Sequence, residues 1–372
     1  MAWLARWMLI STVLWITYGY VLALNMSEKT LTSILEADGS AYLDLASPTS
    51  LLSQLLRPRV PGTENHTLAR EAIIEAFGKM VDVSGRPKWH VETIPFEAQT
   101  PLGPINMTNI VMTRDRYAPR KLVLAAHYDS KYYPKEAPEY GFIGATDSAF
   151  PCALLVDIAM ALDVHLDNYT QHQAMAREAW EPLADDTTLQ FLFLDGEEAF
   201  EKWSRQDSVY GARHLASLWA ETWDEPAWDA AHVPRHTVGR AAPVRRIQTM
   251  NHFVLLDLLG TAQPLVPYYF PMTRHLHEQL QHIEARLVDA NRLWEPGSRH
   301  PRIFQPYQGP LSIDDDHTPF LEQGVPILHL IPWPFPKEWH TIHDNAEALD
   351  PLTMQAWSKL MRVFTAEYLG FA

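Results

Sequence analysis

The sequence predicts an α/β fold, a single domain built on a central, mostly parallel mixed sheet with helices on both faces. Four largely apolar runs of five to seven residues lie far apart in the chain, at residues 121–126, 189–194, 252–256 and 325–331. Short runs without polar alternation indicate strands that are buried on both faces. Each run is followed by a segment with helical periodicity, and strands that alternate with helices are typical of a parallel sheet.

Three elements are predicted before the first buried strand. Residues 51–56 are a short helix candidate, and residues 67–80 read as an amphipathic helix because apolar side chains recur at about every third or fourth position. Residues 90–112 alternate between apolar and polar side chains and contain Pro-Leu-Gly-Pro. This pattern predicts two antiparallel strands around a turn.

Helices are predicted after each of the four buried strands. They lie at residues 151–162, 210–220, 273–291 and 352–369. The first has a proline near its start, where helices tolerate this residue. Two further stretches, residues 165–186 and 221–246, are polar, contain proline and show little apolar periodicity. We therefore expect both stretches to be surface insertions.

Length, composition and charge limit the functions to consider. The chain has 372 residues, of which 47% are hydrophobic, and this is enough for one large core. The net charge of -15 argues against nucleic-acid binding, which needs clustered Lys and Arg. We divide the chain into a targeting segment (residues 1–24), a polar lead-in segment (residues 25–49) and a main domain (residues 50–372).

The N-terminus has the pattern of a targeting segment. Arg6 precedes an uncharged apolar run at residues 7–24, whose length suits a signal peptide or a signal anchor. A basic residue on the N-terminal side favours a cytosolic N-terminus and a translocated remainder. We expect the protein in the lumen of the secretory pathway, either secreted or anchored in the ER or Golgi membrane through residues 7–24.

Glycosylation signals agree with that compartment. Asn-x-Ser/Thr sequons begin at Asn25, Asn65, Asn106 and Asn168, and such sequons are modified in the secretory lumen. The only cysteine is Cys152, so no disulfide can form within the chain.

Acids and histidines stand at the ends of the buried strands. They occur in four short pieces, at residues 126–130, 144–148, 195–198 and 338–340. In open α/β sheets, ligands bind beyond the carboxyl ends of the strands, so these pieces should meet at one edge. Carboxylates and histidine are zinc ligands, and a catalytic zinc keeps one position open. The sequence therefore predicts a metal-dependent enzyme.

Glu197 and Glu198 form the most informative pair. Adjacent glutamates usually lie on a solvated surface, but this pair directly follows the apolar strand at residues 189–194. We favour a functional interpretation in which one carboxylate binds the metal and its neighbour carries a proton to and from the substrate.

The motifs together resemble the animal type of zinc-dependent glutaminyl-peptide cyclotransferases, or glutaminyl cyclases, which share their fold with two-zinc aminopeptidases. The resemblance extends from about Arg59 to the C-terminus, and its most specific part is the tryptophan-rich loop at residues 331–341. The other motifs that carry it are residues 127–131, 144–148, 195–200 with Trp203, 206–208 and 315–320.

The resemblance implies roles for individual residues. One zinc ion per chain would be bound by Asp147, Glu198 and His340, and Glu197 would be the general acid/base. Asp257 and Asp315 would form a hydrogen-bonded acidic pair beside it. The pocket wall and the substrate-binding loop would consist of Trp203, Phe335, Trp339 and Asp314. The substrates would be peptides or proteins with N-terminal Gln, or more slowly Glu, and we expect a monomer.

Two positions depart from the pattern of the family. Many animal members have a disulfide near the site, and here its first cysteine is replaced by Ala126, although Cys152 occupies the second position. The family usually has Gln where this chain has Asp314, which places an additional negative charge near the pocket.

Two alternative interpretations remain beside the cyclase. A two-zinc aminopeptidase would bind a second ion through His127 and Asp257, with Asp147 as the bridging ligand. A non-catalytic, lectin-like or receptor ectodomain with a decayed metal site would not need an intact Glu197. We favour the cyclase because Trp203, Trp339 and the loop at residues 315–317 suit cyclisation.

Overall fold

A computed structural model describes residues 26–179, 186–224, 244–295 and 300–371. Residues 1–25, which include the predicted targeting segment and the sequon at Asn25, lie outside the described residues. So does most of the predicted insertion at residues 221–246. In the described part of the chain no single helix is long and apolar enough to cross a membrane. Two consecutive helical segments, Ala145–Ala161 and Asp163–Glu178, reach that length and apolarity only when they are counted together, and the chain bends by 63° between them.

Eight strands lie within the described ranges. In chain order they are β1 (His90–Thr100), β2 (Gly103–Thr113), β3 (Arg120–His127), β4 (Thr187–Leu194), β5 (Met250–Leu256), β6 (Val266–Tyr268), β7 (Phe304–Gln308) and β8 (Ile327–Leu330). Six of them form the central sheet in the spatial order β1-β2-β4-β3-β5-β8, and β6 and β7 form a separate pair. β4, β3, β5 and β8 run parallel, whereas β1, β2 and β4 are joined by antiparallel pairings.

Ten α-helices are described. They are α1 (Glu28–Leu35), α2 (Ser40–Leu43), α3 (Leu51–Leu55), α4 (Glu64–Gly78), α5 (Phe150–Ala161), α6 (Asp163–Ala179), α7 (Tyr210–Glu221), α8 (Arg274–Asp289), α9 (His317–Glu322) and α10 (Pro351–Tyr368). Side chains of β3 alternate between two apolar cores: Leu124 belongs to the same core as Trp357 of α10, and Val123 to the same core as Trp219 of α7. Helices therefore cover both faces, and the predicted α/β fold with a mostly parallel mixed sheet is confirmed.

The helix α6 was not predicted. Residues 165–186 were expected to be a surface insertion without helical periodicity, but α6 occupies most of this stretch. Its inner face is formed by Leu166, Gln173 and Ala176, which are buried at helical spacing. The polar Gln173 within this stripe weakens the apolar periodicity that sequence analysis relies on.

The start of the described chain is helical and packed on the last helix. Ile34 of α1 is buried, and Arg362 of α10 donates hydrogen bonds to the carbonyl oxygens of Ile34 and Ala37. Arg362 in turn pairs with the buried Asp157 of α5. Residues 26–49 thus contact the main core, while the division of the chain at residue 50 stays a prediction.

Candidate active site

The candidate site lies at the carboxyl edge of the parallel strands. His127 at the end of β3 pairs with Leu194 at the end of β4, and the acidic loop at residues 195–198 begins at the next residue. β5 ends directly before Asp257. Because parallel strands bring their carboxyl ends to one edge, the motifs from three separate parts of the chain meet there, as the sequence analysis expected.

A tight turn places Asp147 opposite these strand ends. Gly144 has φ 65°, and a Cβ atom there would lie 2.0 Å from the carbonyl oxygen of Asp147, so only glycine fits. The following segment is held by Asp344, whose Oδ1 accepts a hydrogen bond of 2.8 Å from the amide of Thr146. The turn brings Asp147 within 2.9 Å of His127 Nε2 and 3.4 Å of His340 Nε2.

Asp147, Glu198 and His340 form a compact group of potential metal ligands. Their ligating atoms all lie within 4.8 Å of one another, and His340 Nε2 is 3.1 Å from Glu198 Oε1. The buried Oδ2 of Asp147 lies 3.4 Å from His340 Nε2, a contact too long and poorly aligned to count as a hydrogen bond, so this oxygen is poorly satisfied, which is costly unless it binds something. Two carboxylates and one imidazole are a donor set that suits a catalytic zinc with an open position.

The electrostatics of this group also suit a cation. Burial alone would lower the pKa of His340, but the charges of Glu198 and Asp147 outweigh it and raise that pKa to about 10. The pKa of Asp147 is lowered because its hydrogen bonds to His127 and His340 outweigh burial. The two carboxylates thus hold a positive charge between them, and a bound metal would displace the His340 proton because ligating histidine must be neutral.

His127, Asp147 and Asp257 form a second group of the same kind. Their ligating atoms also lie within 4.8 Å of one another. His127 Nε2 is 3.5 Å from Asp257 Oδ1, and that oxygen also accepts a hydrogen bond of 2.5 Å from Ser148 Oγ. Asp147 belongs to both groups, so it has the position that a bridging ligand would need.

Glu197 and Glu198 are fixed through their backbone by Asp129. The amide of Glu197 donates to Asp129 Oδ1 over 3.1 Å, and the amide of Glu198 donates to Asp129 Oδ2 over 3.2 Å. Lys131 Nζ lies 3.0 Å from Glu198 Oε2. The sequence placed Asp129 and Lys131 in a motif without a role, because a contact between two loops leaves no local pattern.

The carboxyl group of Glu197 is buried and tends to hold a proton. Burial, reinforced by the nearby charges of Glu198, Asp315 and Asp316, raises its pKa well above the usual range, and His127 opposes this only in part. A carboxyl group with a raised pKa can accept and return a proton near neutral pH.

The structure describes both Asp257 and Asp315 and shows no hydrogen bond between them, although the resemblance implied one: Asp257 accepts from Ser148, and Asp315 contacts His329. The charge of Asp315 nevertheless acts on Asp257. Burial raises the pKa of Asp257 to about 6, and the negative charge of Asp315 makes the second largest contribution. Burial also raises the pKa of Asp315 to about 6. Asp315 Oδ2 is 2.8 Å from Nε2 of His329, a buried histidine of β8. Sequence analysis missed His329, since it sits within an apolar strand and resembles a core residue.

The proposed pocket wall has two separate groups of aromatic side chains, Phe335 with Trp339 and, apart from them, Trp203. Trp339 stacks on His340 with ring centroids 4.1 Å apart and an angle of 22°, and Phe335 meets Trp339 at 4.9 Å. Trp203 Nε1 donates a hydrogen bond of 3.2 Å to Asp314 Oδ2. The structure thus brings Trp339 to the candidate metal ligands and connects Trp203 with the loop that carries Asp315.

His340 has an unusual backbone conformation for its residue type. Its φ of 56° lies in the left-handed region, which costs a non-glycine residue about 1 kcal/mol. Trp339 stacks on its ring, and the Tyr133 hydroxyl donates to its carbonyl oxygen over 3.2 Å. Non-glycine residues in this region concentrate at functional sites, where surrounding contacts hold them.

Similarity to known sequences extends over most of the chain. The profile of Peptidase family M28 matches residues 109–365. A glutaminyl-peptide cyclotransferase-like protein of Mus musculus is 41% identical over 345 residues, which cover 91% of this chain and 80% of that protein. The glutaminyl-peptide cyclotransferase of Drosophila melanogaster is 38% identical over 327 residues, which cover 86% of this chain and 79% of the relative.

Solved structures show the same relationship. The crystal structure of Macrostomum lignano glutaminyl cyclase superposes with a TM-score of 0.72 at 32% sequence identity, covering 92% of this chain and 93% of that one. A Zn-dependent exopeptidase from Parabacteroides distasonis gives a TM-score of 0.59 at 19% identity, covering 87% of this chain and 95% of that one. The second similarity is one of fold alone.

Proposed function

The chain belongs to the glutaminyl-peptide cyclotransferases of peptidase family M28, and on this premise we propose that it converts the N-terminal glutamine of peptides and proteins to pyroglutamate. The α-amine attacks the side-chain amide, a ring closes and ammonia leaves. N-terminal glutamate would react more slowly, with loss of water. The observation that carries this proposal is Trp339, which stacks on His340, a candidate metal ligand that lies 3.1 Å from Glu198.

Asp147, Glu198 and His340 are proposed to hold one zinc ion. The poorly satisfied Oδ2 of Asp147 and the mixed carboxylate and imidazole donors support this assignment. When bound, zinc supplies Lewis acidity towards the amide carbonyl. Lys131 contacts the second oxygen of Glu198, and such outer contacts orient a ligating carboxylate.

Glu197 is proposed as the group that moves the proton. In its ionised form it takes a proton from the attacking α-amine, and in its protonated form it gives one to the departing ammonia. The hydrogen bond from its amide to Asp129 fixes the backbone that carries it. Asp257 and Asp315, whose pKa values are raised to about 6, are proposed to stay partly protonated beside it and to keep this side of the pocket from becoming too negative.

The aromatic side chains are proposed to fold the substrate. Phe335 and Trp339 meet edge to face and offer an apolar wall for the aliphatic stem of glutamine, while Trp203 and Asp314 would form the opposite side. Holding the amine near the amide carbon turns ring closure into a proximity-driven step.

A two-zinc arrangement is the alternative for the metal content, because His127, Asp147 and Asp257 form a second potential site. We favour one ion. Asp257 Oδ1, one of the potential ligand atoms of the second site, already accepts a short hydrogen bond from Ser148. Metal analysis after dialysis should give a value near one per chain.

The secretory pathway is the proposed compartment. Asn106 and Asn168 are exposed and Asn65 is half-buried, so at least two of the described sequons present their side chains to an oligosaccharide transferase. Treatment of the protein from animal cells with an N-glycosidase should lower its apparent mass. An unchanged mass would speak against passage through the lumen.

The reaction itself is tested with two dipeptides. The purified protein is incubated with a Gln-initiated and an Ala-initiated dipeptide, and both ammonia and free amino acids are measured. Ammonia from the first dipeptide, without free amino acid from either, is the expected result. Free amino acids without ammonia would instead indicate an aminopeptidase.

A further inference from the structure

A groove with a volume of about 1100 Å³ lies beside the candidate site and has no part in the proposed chemistry. Its walls come from the loop after β3, the first turns of α4 and the β1–β2 hairpin. A cavity of this size is at the upper limit of small-molecule sites, which measure about 300–1000 Å³. It is therefore larger than a single glutamine residue requires.

The walls of the groove touch two of the three proposed zinc ligands. Lys131 lines the groove, and its ammonium lies 3.0 Å from Glu198 Oε2. Tyr133 and Phe142 also line it. The Tyr133 hydroxyl donates to the carbonyl oxygen of His340, and the Phe142 ring meets the His340 ring edge to face at 6.1 Å. One end of the groove is therefore only one side chain away from the reacting centre.

The charge of the groove is opposite to that of the protein. Its lining includes Arg70, Lys131 and Lys135 but no Asp or Glu, although the chain has a net charge of -15. Lys131 is paired with Glu198. Arg70 contacts the hydroxyl groups of Thr108, over 3.3 Å, and Tyr128, and within the described residues neither Arg70 nor Lys135 has an ion pair. Two positive charges thus remain available to a ligand.

The proposed reaction requires a path for the rest of the substrate. Only the N-terminal residue takes part in cyclisation, so the peptide chain from the second residue onwards must leave the pocket along the protein surface. An extended chain advances about 3.3 Å per residue, so the next few residues lie within reach of a groove that begins at Lys131.

We propose that this groove binds the substrate chain downstream of its N-terminal glutamine and selects acidic residues at the third to fifth positions. Arg70 and Lys135 provide the charge complementarity, and the aromatic walls provide contact with the peptide backbone and apolar side chains. The proposal rests on the proposed function and specifies its substrate class.

Matched peptides test this selection. Three amidated substrates begin with Gln-Ala: one ends there, one continues with three glutamates and one with three lysines. At low salt, kcat/KM should be about five-fold higher for the acidic peptide than for the basic one, since exposed ion pairs each contribute modestly. The ratio should fall towards one at high salt, because exposed charges are screened.

Charge-reversal variants of groove residues test whether the groove is the site that selects acidic peptides. Lys135→Glu, on an exposed loop, and the double variant Arg70→Glu with Lys135→Glu should lower the acidic-to-basic ratio, the double variant further. The matched control is Lys79→Glu, an exposed lysine beyond the far end of α4 and about 14 Å from Arg70 along the helix. It should leave the ratio unchanged. If Lys79→Glu lowered the ratio equally, the effect would come from net charge and the groove would be the wrong site.

The two proposals fail in different ways. If the wild-type protein releases ammonia from Gln-Ala amide but treats the acidic and basic peptides alike at low salt, the groove proposal is overturned and the cyclase remains. If no peptide yields ammonia, the cyclase is overturned and the groove proposal falls with it.

Glycans are the competing occupant, because the sequons at Asn65 and Asn106 both line the groove. The measurements are therefore repeated on glycosylated protein and on protein treated with an N-glycosidase. Selection for the acidic peptide in both forms supports the proposal. Selection that appears only after the glycans are removed would show that they fill the groove in the native protein, and would overturn it.

Discussion

The adjacent carboxylates Glu197 and Glu198 face different neighbours and should therefore differ in function. Glu198 lies against His340 and Lys131, whereas burial and nearby acids raise the pKa of Glu197. Asp129 holds both amides, so substituting one side chain leaves the loop anchored.

Glu197→Gln should retain bound zinc and lose most of its turnover. A positioned general acid/base contributes a factor of about 10²–10⁴, and Gln can neither accept nor return the proton. Ammonia release and metal content are measured on the same sample. Glu198→Gln is the matched control and should instead lose zinc. The opposite behaviour of the two variants would reverse the proposed roles.

The variant Trp339→Phe distinguishes two possible roles of Trp339, as part of the pocket wall or as a residue that packs the core. Trp339 is 39% exposed, so the core loses little when the indole becomes a phenyl ring. We expect a higher KM or a lower kcat with a melting temperature within a few degrees of the wild type. A clear fall in melting temperature with unchanged kinetics would remove Trp339 from the site.

The residues of the site differ in how far the sequence could reveal them. Acids at strand ends could be predicted, because parallel strands bring separate motifs to one edge. The anchoring of Glu197 by Asp129 and the contact of His329 with Asp315 could not, because each joins two distant segments. The left-handed φ of His340 was equally hidden, since histidine visits this region more often than most residues but still adopts it only rarely.

Strands and helices were predicted best where polar residues do not interrupt the pattern of apolar ones. The strand at residues 121–126 lies within β3 (Arg120–His127), and the helix at residues 352–369 differs from α10 by one residue at each end. α6 was missed because polar residues interrupt its buried stripe. It is also held from outside by ion pairs of Lys88 and Arg114 with its first turns, and such long-range pairs have no local signal.

Cys152 in α5 should be an inert thiol. It is fully buried, its Sγ lies 3.1 Å from the carbonyl oxygen of His127, and burial raises its pKa to about 12. Thiolates are the reactive form, so the folded protein should not react with a thiol reagent until it is unfolded. Cys152→Ala should cost little activity, and reductant should leave the melting temperature unchanged. A marked fall with reductant would reveal a bridge between molecules.

His252 of β5, whose Nδ1 lies 2.5 Å from the hydroxyl of Tyr368 in α10, should make stability depend on pH. Burial, with a smaller contribution from His275, lowers the pKa of His252 to about 4, whereas an unfolded histidine titrates near 6.5. Between these values the unfolded chain binds a proton that the folded one does not. The stability contributed by neutral His252 is therefore present above about pH 6.5 and is lost as the pH falls towards 4.

His252→Asn should remove that dependence. The wild type should lose about 2 kcal/mol more of its free energy of unfolding than the variant between about pH 7 and pH 4.5, as measured by urea denaturation. The matched control is His172→Asn on an exposed part of α6, which should follow the wild type. Equal slopes for wild type and His252→Asn would show that His252 is not held neutral.

At the scale of the whole molecule, the parallel and the antiparallel parts of the sheet have different proposed functions. The parallel strands bring the acids and histidines to one edge, and the antiparallel β1–β2 hairpin forms one wall of the adjacent groove. The strand edge is proposed to hold the reacting residue, and the groove is proposed to hold the peptide chain attached to it.

The central claim, cyclisation at a site with one zinc ion, is tested most directly by titrating the metal-free protein with zinc while ammonia release from a Gln-initiated dipeptide is measured. Asp147, Glu198 and His340 predict activity that rises linearly and reaches its maximum at one zinc per chain. A maximum only at two zinc ions per chain would mean that His127 and Asp257 bind a second catalytic ion, and it would contradict this account.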